Sequence, residues 1–594
     1  MVTRNLIRPT NRLVTRTARD FSGGLNTEDS ALNLPSKFLI DARNILVTTQ
    51  GVAHIRYGTH EVARIPDVDE QLIACEFFNN AIIAVSRKGK VWRITRGGDV
   101  SLLWDEAIAQ SRPGSPNGWG TTEYAEFTQF AGELIIVNGI DKPLVVNAFN
   151  QVNYLQDLGT GSNVNVPRAR HCTTFNDYLV LAGTQFEPDT LFIGAKGTAG
   201  TFFDDPPPND ATNFPCSQYV DIGAPVIRAV SSFRDRLLVF FDEQVLIIKL
   251  GEYQNNNHVP EVEDRLQGIG ALSGRCVVPL GDDVVVLSRL GVESMKRTII
   301  TGQFSPKRVS TNIDTTMQRA IRRLDNATLV HNVFAVHNRI DGHVMFFLPK
   351  VNNVVPSTDN NVYTLIKDGV TPADRWGYLD NMPYRAACQS GAGEIFFVEG
   401  HTVWRYSNTG NVLFPYRDKA LPNEEAWSDG TLFGDGKGWR GTGLTGGTAI
   451  PFRLRTPWLD FGNPMQTKCS RYMMLECMAG PPPNTQLTVR MYIDLIEPEA
   501  LSSTFEVTAT PAGPDTNLLG TEASDTVDTE SDVPISIGGL GGNVVQANAP
   551  TNNMQLYNWP SKFRRASFEF EGNAVTYFAL ASINVAFIPG GVRR

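Results

Sequence analysis

The sequence predicts an all-β protein: a β-propeller of about seven blades followed by a carboxy-terminal β-sandwich. Three observations carry the prediction. A hairpin pattern recurs roughly every fifty residues through the middle of the chain. Strand-like segments resume in the last quarter after a glycine-rich interruption. The composition, 42% hydrophobic with 52 Gly and 32 Phe, is that of a turn-rich chain biased toward strands. At 594 residues the chain exceeds what one hydrophobic core supports, so it needs several domains or a repeat array.

Each copy of the pattern is a large apolar residue, a short turn, and a run rich in Val, Ile, Leu and Phe. The runs begin at Ile82, Leu134, Leu179, Leu237, Val284, Val344 and Ile395. Four places before each run stand Phe78, Phe130, Phe175, Phe233, Leu280 and Ile340, with Gly391 as the exception in the last copy. Between anchor and run lie Asn79-Asn80, Ala131-Gly132, Asn176-Asp177, Arg234-Asp235, Gly281-Asp282, Asp341-Gly342 and Ala392-Gly393. Asn, Asp and Gly tolerate the positive φ of a tight hairpin, so each copy reads as strand, turn, strand. A further strand follows many of the runs, as at Val91-Trp92-Arg93-Ile94 and Val403-Trp404-Arg405-Tyr406. Trp92 and Trp404 hold corresponding positions in that strand, which points to core packing. A lone meander of this kind cannot bury both faces, whereas sheets stacked radially about an axis can; residues 61–407 are therefore expected to form a propeller. Seven blades are visible, and six or eight stay open if one is degenerate or is closed by a strand from residues 1–60. The rival is a pair of β-sandwiches with hairpins alike by chance. The constant offset between anchor and run weighs against it.

Residues 408–448, with Gly434-Asp435-Gly436-Lys437-Gly438 and Gly441-Thr442-Gly443, read as a linker or elaborated loop. Strands are expected again at Phe452 to Leu459, Tyr472 to Met478, Gln486 to Ile493, Arg565 to Phe570, Thr576 to Leu580 and Ile583 to Ile588, giving a sandwich over 449–594. An insertion, 509–549, carries Asp515, Glu522, Asp525, Asp528, Glu530 and Asp532 among few large apolar residues. It reads as an exposed acidic loop, facing a lumen or partner in one reading and simply solvated in the other. Residues 1–60 form an arm and hairpin region. There Arg4, Arg8, Arg12, Arg16 and Arg19 face a single acid, Asp20, either as a solvated tail or as an arm that docks on an acidic neighbour.

The formal net charge of −9 argues against a molecule built to grip nucleic acid by neutralising phosphates. The seven cysteines, Cys75, Cys172, Cys216, Cys276, Cys388, Cys469 and Cys477, are scattered and odd in number, so reduced and mostly buried thiols are expected. No apolar core follows the amino-terminal arginines, and no apolar run approaches about 18 residues; neither a signal peptide nor a membrane span is expected. Gly434-Asp435-Gly436-Lys437 lacks the spacing and the hydroxyl residue of a phosphate loop, and in Gly270-Ala271-Leu272-Ser273-Gly274 the serine falls one place late for a nucleophile elbow. His331, His337 and His343 are evenly spaced and cannot converge on a metal without chain reversal, so they read as ordinary strand histidines. No local pattern singles out the paired carboxylates of a glycosidase. No catalytic, cofactor-binding or metal-binding residue is assigned.

The stretch Asp20-Phe21-Ser22-Gly23-Gly24-Leu25-Asn26, then Pro35, Ala42-Arg43-Asn44, Gly51 and Arg56-Tyr57-Gly58, resembles the opening of nozzle-type and packaged-DNA-stabilising tail proteins of short-tailed bacteriophages. Thr456-Pro457-Trp458-Leu459-Asp460-Phe461-Gly462 and the closing Phe587-Ile588-Pro589-Gly590-Gly591-Val592-Arg593-Arg594 are also similar to propeller-plus-sandwich virion proteins. The departure is the long acidic insertion. The resemblance implies a structural, non-enzymatic virion protein, assembled in the host cytoplasm as a homohexameric ring below the tail adaptor and holding the packaged genome until ejection. Its implied partners are further copies of itself, the adaptor, tail fibre or tail tip proteins, and double-stranded DNA that passes through the lumen without tight binding. An acidic lumen suits that passage, because Lys and Arg would retain the phosphates. The alternatives are a receptor-binding, lectin-like propeller adhesin and a propeller glycosidase or depolymerase, since propellers host all three.

Overall fold

The computed structural model describes residues 14–18, 20–48, 50–111, 118–155, 166–202, 211–221, 223, 225–254, 257–281, 283–297, 304–352, 355–366, 374–408, 416–419, 448–479, 485–507, 553–557, 562–574 and 577–589. The chain divides into two compact units, one of residues 61–374 and 380–406 and one of residues 1–60, 375–379 and 407–594.

The first unit is a β-propeller, with seven blades among the described residues. Blade 1 is Leu72–Phe78, Ala81–Ser86, Val91–Thr95 and Val100–Trp104; blade 2 is Glu126–Phe130, Glu133–Val137, Leu144–Val146 and Val152–Tyr154. Blade 3 runs from His171–Phe175 through Tyr178–Ala182 and Thr190–Ile193 to Thr212–Pro215. Blade 4 comprises Ala229–Phe233, Arg236–Phe240, Gln244–Gln254 and Asn257–Gln267, and blade 5 Val277–Leu280, Asp283–Ser288, Gly291–Arg297 and Phe304–Arg308. Phe334–Asn338, His343–Asn352 and Val355–Ile366 belong to blade 6, and Ala386–Gln389, Ile395–Glu399 and Thr402–Tyr406 to blade 7. The fourth strand of blade 7 is Thr59–Arg64, so an amino-terminal strand closes the ring. All seven apolar runs of the sequence are second strands of blades.

The turn chemistry explains the register. Asn79 and Asn80, and likewise Asn176 and Asp177, both take positive φ, which lets the flanking strands keep their native twist. The anchor then ends the first strand, and Phe78, Phe130, Phe175 and Phe233 are buried there. Two anchors depart from this. Ile340 is 45% exposed and Leu280 is half-buried. In blade 6 the first strand stops at Asn338, whose Oδ1 accepts from the amides of Ile340 and Asp341 at 3.2 and 3.1 Å, so the longer turn contains the expected anchor. Blade 7 likewise ends its first strand at Gln389 and leaves Gly391 in the turn.

Both faces of the sheets are buried between neighbouring blades, as radial stacking requires. Ile73, Ala74 and Phe78 of blade 1 pack with Leu134, Ile136 and Leu144 of blade 2. Phe175, Tyr178 and Val180 of blade 3 pack with Leu237, Val239 and Leu246 of blade 4. The closing seam joins Leu72, Cys75 and Ile82 of blade 1 to Cys388, Phe396 and Val398 of blade 7. Trp92 and Trp404 are buried, in keeping with their third-strand positions. The seven cysteines are free, six buried and Cys469 partly so.

The second unit is a β-sandwich to which both ends of the chain contribute. One sheet orders Asn553–Tyr557, Lys468–Ala479, Phe578–Pro589, Ala53–Ile55 and Ile45–Val47, with Val14–Ala18 antiparallel to Phe578–Pro589. The other orders Arg375–Leu379, Asp41–Arg43, Thr448–Arg455, Ala566–Ala574, Thr485–Ile493 and Ile496–Val507. Phe452 and Phe578 stack across the two sheets with centroids 4.9 Å apart. The strands expected at Thr576 to Leu580 and Ile583 to Ile588 are one strand, Phe578–Pro589, and Ile496–Val507 is an additional hairpin partner.

Candidate functional site

Of the five arm arginines, Arg16 lies on Val14–Ala18, exposed on its sheet-edge strand; Arg4, Arg8, Arg12 and Arg19 fall outside the described residues. So do all six acidic residues nominated between Asp515 and Asp532, and most of the glycine-rich interruption. The three spaced histidines separate: His337 and His343 lie on paired strands of blade 6, whereas His331 sits on the helix Asn326–Asn332, a correction to its reading as a strand residue. It follows from the chain crossing to blade 6 through two short helices, Asp314–Arg322 and Asn326–Asn332. Among the described residues no cluster with metal-binding composition occurs, and no helix is long and apolar enough to cross a membrane.

The densest gathering of ionisable groups is one that sequence reasoning missed. The first strands of successive blades contact one another around the axis, so their starting residues meet at one end of the propeller. Arg170, Arg228 and Arg385 each immediately precede a first strand, and Arg275 stands two residues before another. Their centre is Tyr124, two residues before the first strand of blade 2. The guanidinium groups of Arg170 and Arg275 lie 4.6 and 4.9 Å from its ring centroid, and the rings of His171 and His331 lie 6.2 and 6.1 Å away. Such stacking places cations on the negative faces of the ring. The Tyr124 hydroxyl donates to Glu126 Oε1, which also faces His171 Nδ1 at 2.9 Å. Burial, reinforced by the Glu126 charge, holds the Tyr124 hydroxyl well above its usual range.

Arg275 spans the axis. From blade 5 it donates to the Ile73 carbonyl of blade 1 at 3.0 Å and to the His331 carbonyl. The backbone beside it comes equally close: a Cβ on Gly274 would stand 1.6 Å from Glu126 Oε1, so only glycine fits there without displacing that carboxylate. Around the rim, Arg228 forks onto Asp242 at 3.1 and 3.0 Å, Arg289 approaches the same carboxylate at 3.7 Å, and Arg385 bonds Asn332 Oδ1 at 2.8 Å while lying 3.6 Å from Glu123. Arg87 pairs with Glu123 as well. Burial, with Arg170 and Arg275 nearby, lowers the His331 imidazole to about 4, so it is neutral at pH 7. Arg170 is pushed below the usual arginine range by burial, and its neighbours Arg228 and Arg275 act in the same direction. The sequence signal was available: an arginine stands five places before each of the anchors Phe175, Phe233 and Leu280.

In the sandwich, the residues of the opening motif form a buried framework. Arg56, fully buried, bonds both oxygens of Asp418 at 2.7 and 2.6 Å and Asn44 Oδ1 at 3.0 Å. Asn44, at positive φ, donates through Nδ2 to the Pro451 carbonyl at 2.7 Å. Gly24, also at positive φ, packs so tightly that a Cβ would stand 2.7 Å from the Trp376 carbonyl oxygen. Phe461, from the second motif, lies against Phe587 of the closing one with centroids 5.7 Å apart.

No protein-family model matches the chain, and no curated protein matches it. Similar solved structures include a streptogramin B lyase, at 12% identity and a TM-score of 0.35 over 59% of this chain and 97% of that one. The WD40 domain of Neurospora crassa Pan2 is 9% identical with a TM-score of 0.36, covering 60% of this chain and 97% of that one. A putative 6-phosphogluconolactonase from Bacteroides uniformis is 12% identical with a TM-score of 0.34, covering 55% and 89%. Likenesses of this size say nothing of chemistry.

Proposed function

We propose that this chain is a structural protein of a short-tailed bacteriophage virion, the nozzle ring that encloses the DNA exit channel and retains the packaged genome. The observation that carries the reading is where the resembling motifs lie. They come from opposite ends of the chain, yet belong to one sandwich: Phe461 lies against Phe587, and Arg56 and Asn44 of the opening motif spend their polar groups on each other, on Asp418 and on the Pro451 carbonyl. Motif residues consumed in a buried framework maintain a shape, which is what a ring subunit requires. The propeller adhesin and the propeller depolymerase draw no comparable support from these residues.

In this reading the subunits form a homohexamer docked coaxially on the tail adaptor, and the arginine-rich amino terminus contributes to the contact. The mass of the purified assembly and cryo-electron microscopy of the virion test it. A ring of six in the tail is expected; a monomeric fibre tip or a position in the head shell overturns it. Removal of residues 1–13 is the suitable truncation for the docking contact, because it leaves the strand Val14–Ala18 paired with Phe578–Pro589. It is expected to weaken adaptor docking most at low salt, where exposed charges act at longest range.

A further inference from the structure

The axial cluster supports a conclusion about ligand binding that is independent of the nozzle reading. Six arginines, Arg87, Arg170, Arg228, Arg275, Arg289 and Arg385, share it with the carboxylates Glu123, Glu126 and Asp242, in a chain whose formal net charge is −9. Most of these cations are occupied. Arg228 and Arg289 share Asp242, Arg87 and Arg385 share Glu123, and Arg275 is tied to two backbone carbonyls.

Arg170 differs. Like Arg275 it stacks on Tyr124, is half-buried and has a buried Nε with no hydrogen-bond partner among the described residues, but it lacks the two backbone carbonyls that hold the terminal nitrogens of Arg275. Glu126 acts on it through space, but that carboxylate is already engaged by Tyr124 and His171. A guanidinium held in one plane, with an unmet Nε donor and a second guanidinium against the same ring, is preorganised for the planar fork that oxyanions accept. Partial exposure of Arg170, Arg385 and Glu123 leaves that end of the axis open to solvent. An anion there also relieves the mutual repulsion of Arg170, Arg228 and Arg275.

We propose that this end of the propeller axis binds a small oxyanion of the phosphate or carboxylate class, with Arg170 as its principal ligand and Tyr124 and Arg275 fixing the plane in which it is received. The experiment is thermal unfolding of the full chain in sodium phosphate, sodium acetate and sodium chloride at matched ionic strength. A saturable rise in Tm with phosphate, acetate or both, relative to chloride, is expected from preferential binding to the native state. Which salt acts assigns the class. Arg170→Gln should abolish the increment, whereas Arg64→Gln, at an exposed arginine paired with Glu61, should retain it.

A second measurement locates the site in the unmodified protein and does not depend on the variant folding. His331 faces Tyr124, Arg170, Arg275, Arg385 and Glu123, and its titration, followed by NMR, should move upward when phosphate or acetate binds beside it. No saturable rise with either salt, an increment that survives in Arg170→Gln, or a His331 titration unmoved by a salt that raises Tm each overturns the proposal.

Discussion

Replacing Gly270 with alanine tests how closely blades 4 and 5 are locked together. Gly270 lies between them, and an added Cβ would stand 2.0 Å from the Asp242 carbonyl oxygen, 2.3 Å from its carbonyl carbon and 2.5 Å from the Phe241 carbonyl oxygen. Ordinary contact begins at 3.4 Å, and every obstructing atom is backbone, so no side chain can swing away. Relief requires the two segments to part by about 1 Å or more. That separation breaks the bond from the Ala271 amide to the Phe241 carbonyl, now 3.0 Å, and draws Ile269 and Ala271 out of the cluster formed with Phe240 and Val284. The hydrogen bond contributes about 1 kcal/mol and overpacking costs about 1–3 kcal/mol, so Gly270→Ala should lose roughly 3 kcal/mol. Urea denaturation followed by circular dichroism measures the loss, and hydrogen exchange in residues 229–248 and 284–295 places it in these two blades. Gly391→Ala is the control, since nothing lies within 4 Å of its Cβ position; it should stay within about 0.5 kcal/mol of the parent. If Gly270→Ala is as benign as Gly391→Ala, the close approach of the two segments is wrong.

Three other perturbations have definite expected outcomes. Phe130→Ala and Phe233→Ala should each cost about 3–5 kcal/mol as large buried aromatics, while Ile340→Ala should cost under about 0.5 kcal/mol because that side chain is 45% exposed; equal losses in a denaturation series would contradict the blade 6 turn. Arg56→Met should cost about 3–5 kcal/mol by stranding the Asp418 carboxylate, and adding Asp418→Leu should restore much of it, as calorimetry of the two variants will show. Burial lifts the Glu293 carboxyl from its ordinary 4.5 to about 7. A folded-state pKa raised in this way gives stability that is complete below pH 4.5 and is lost as pH rises through 7. Glu293→Gln should therefore gain on the parent across that window, by about 1–3 kcal/mol, and urea midpoints that differ equally at pH 4.5 and pH 8 would refute the assignment.

The propeller was legible because one physical requirement repeats. A two-residue hairpin needs positive φ, so Asn, Asp and Gly recur at a constant distance from the buried runs, and each run proved to be a second strand. Where the turn lengthened, at Asn338 and Gln389, the offset no longer marked a buried residue, since the connection solved its hydrogen bonding by a different route. The sandwich was legible as strands but not as pairings. Alternation along Gln486 to Ile493 shows that one face is buried; it carries no information that the neighbours of Lys468–Ala479 include a strand from the last residues of the chain, itself flanked by Val14–Ala18 and Ala53–Ile55. Long-range pairings of that kind depend on the ends meeting, and no local pattern encodes it.

The axial cluster was hidden for a different reason. Arg170, Arg228, Arg275 and Arg385 are far apart in sequence, and each by itself reads as a solvated charge. What unites them is their place in the repeat. The strand that begins each blade is the one next to the axis, so a residue just before it in any blade is carried to the same end of that axis. Tandem repetition thus turns a fixed offset in sequence into proximity in space, and charges that recur at that offset must repel one another unless something answers them. Asp242 answers Arg228, and Glu123 answers Arg385. Glu126 is claimed by Tyr124 and His171, two carbonyls hold Arg275, and among the described residues Arg170 is left with an unmet donor and neither kind of partner of its own. A repeat that places cations by register and compensates them one at a time leaves the uncompensated one as the place where a ligand has most to offer.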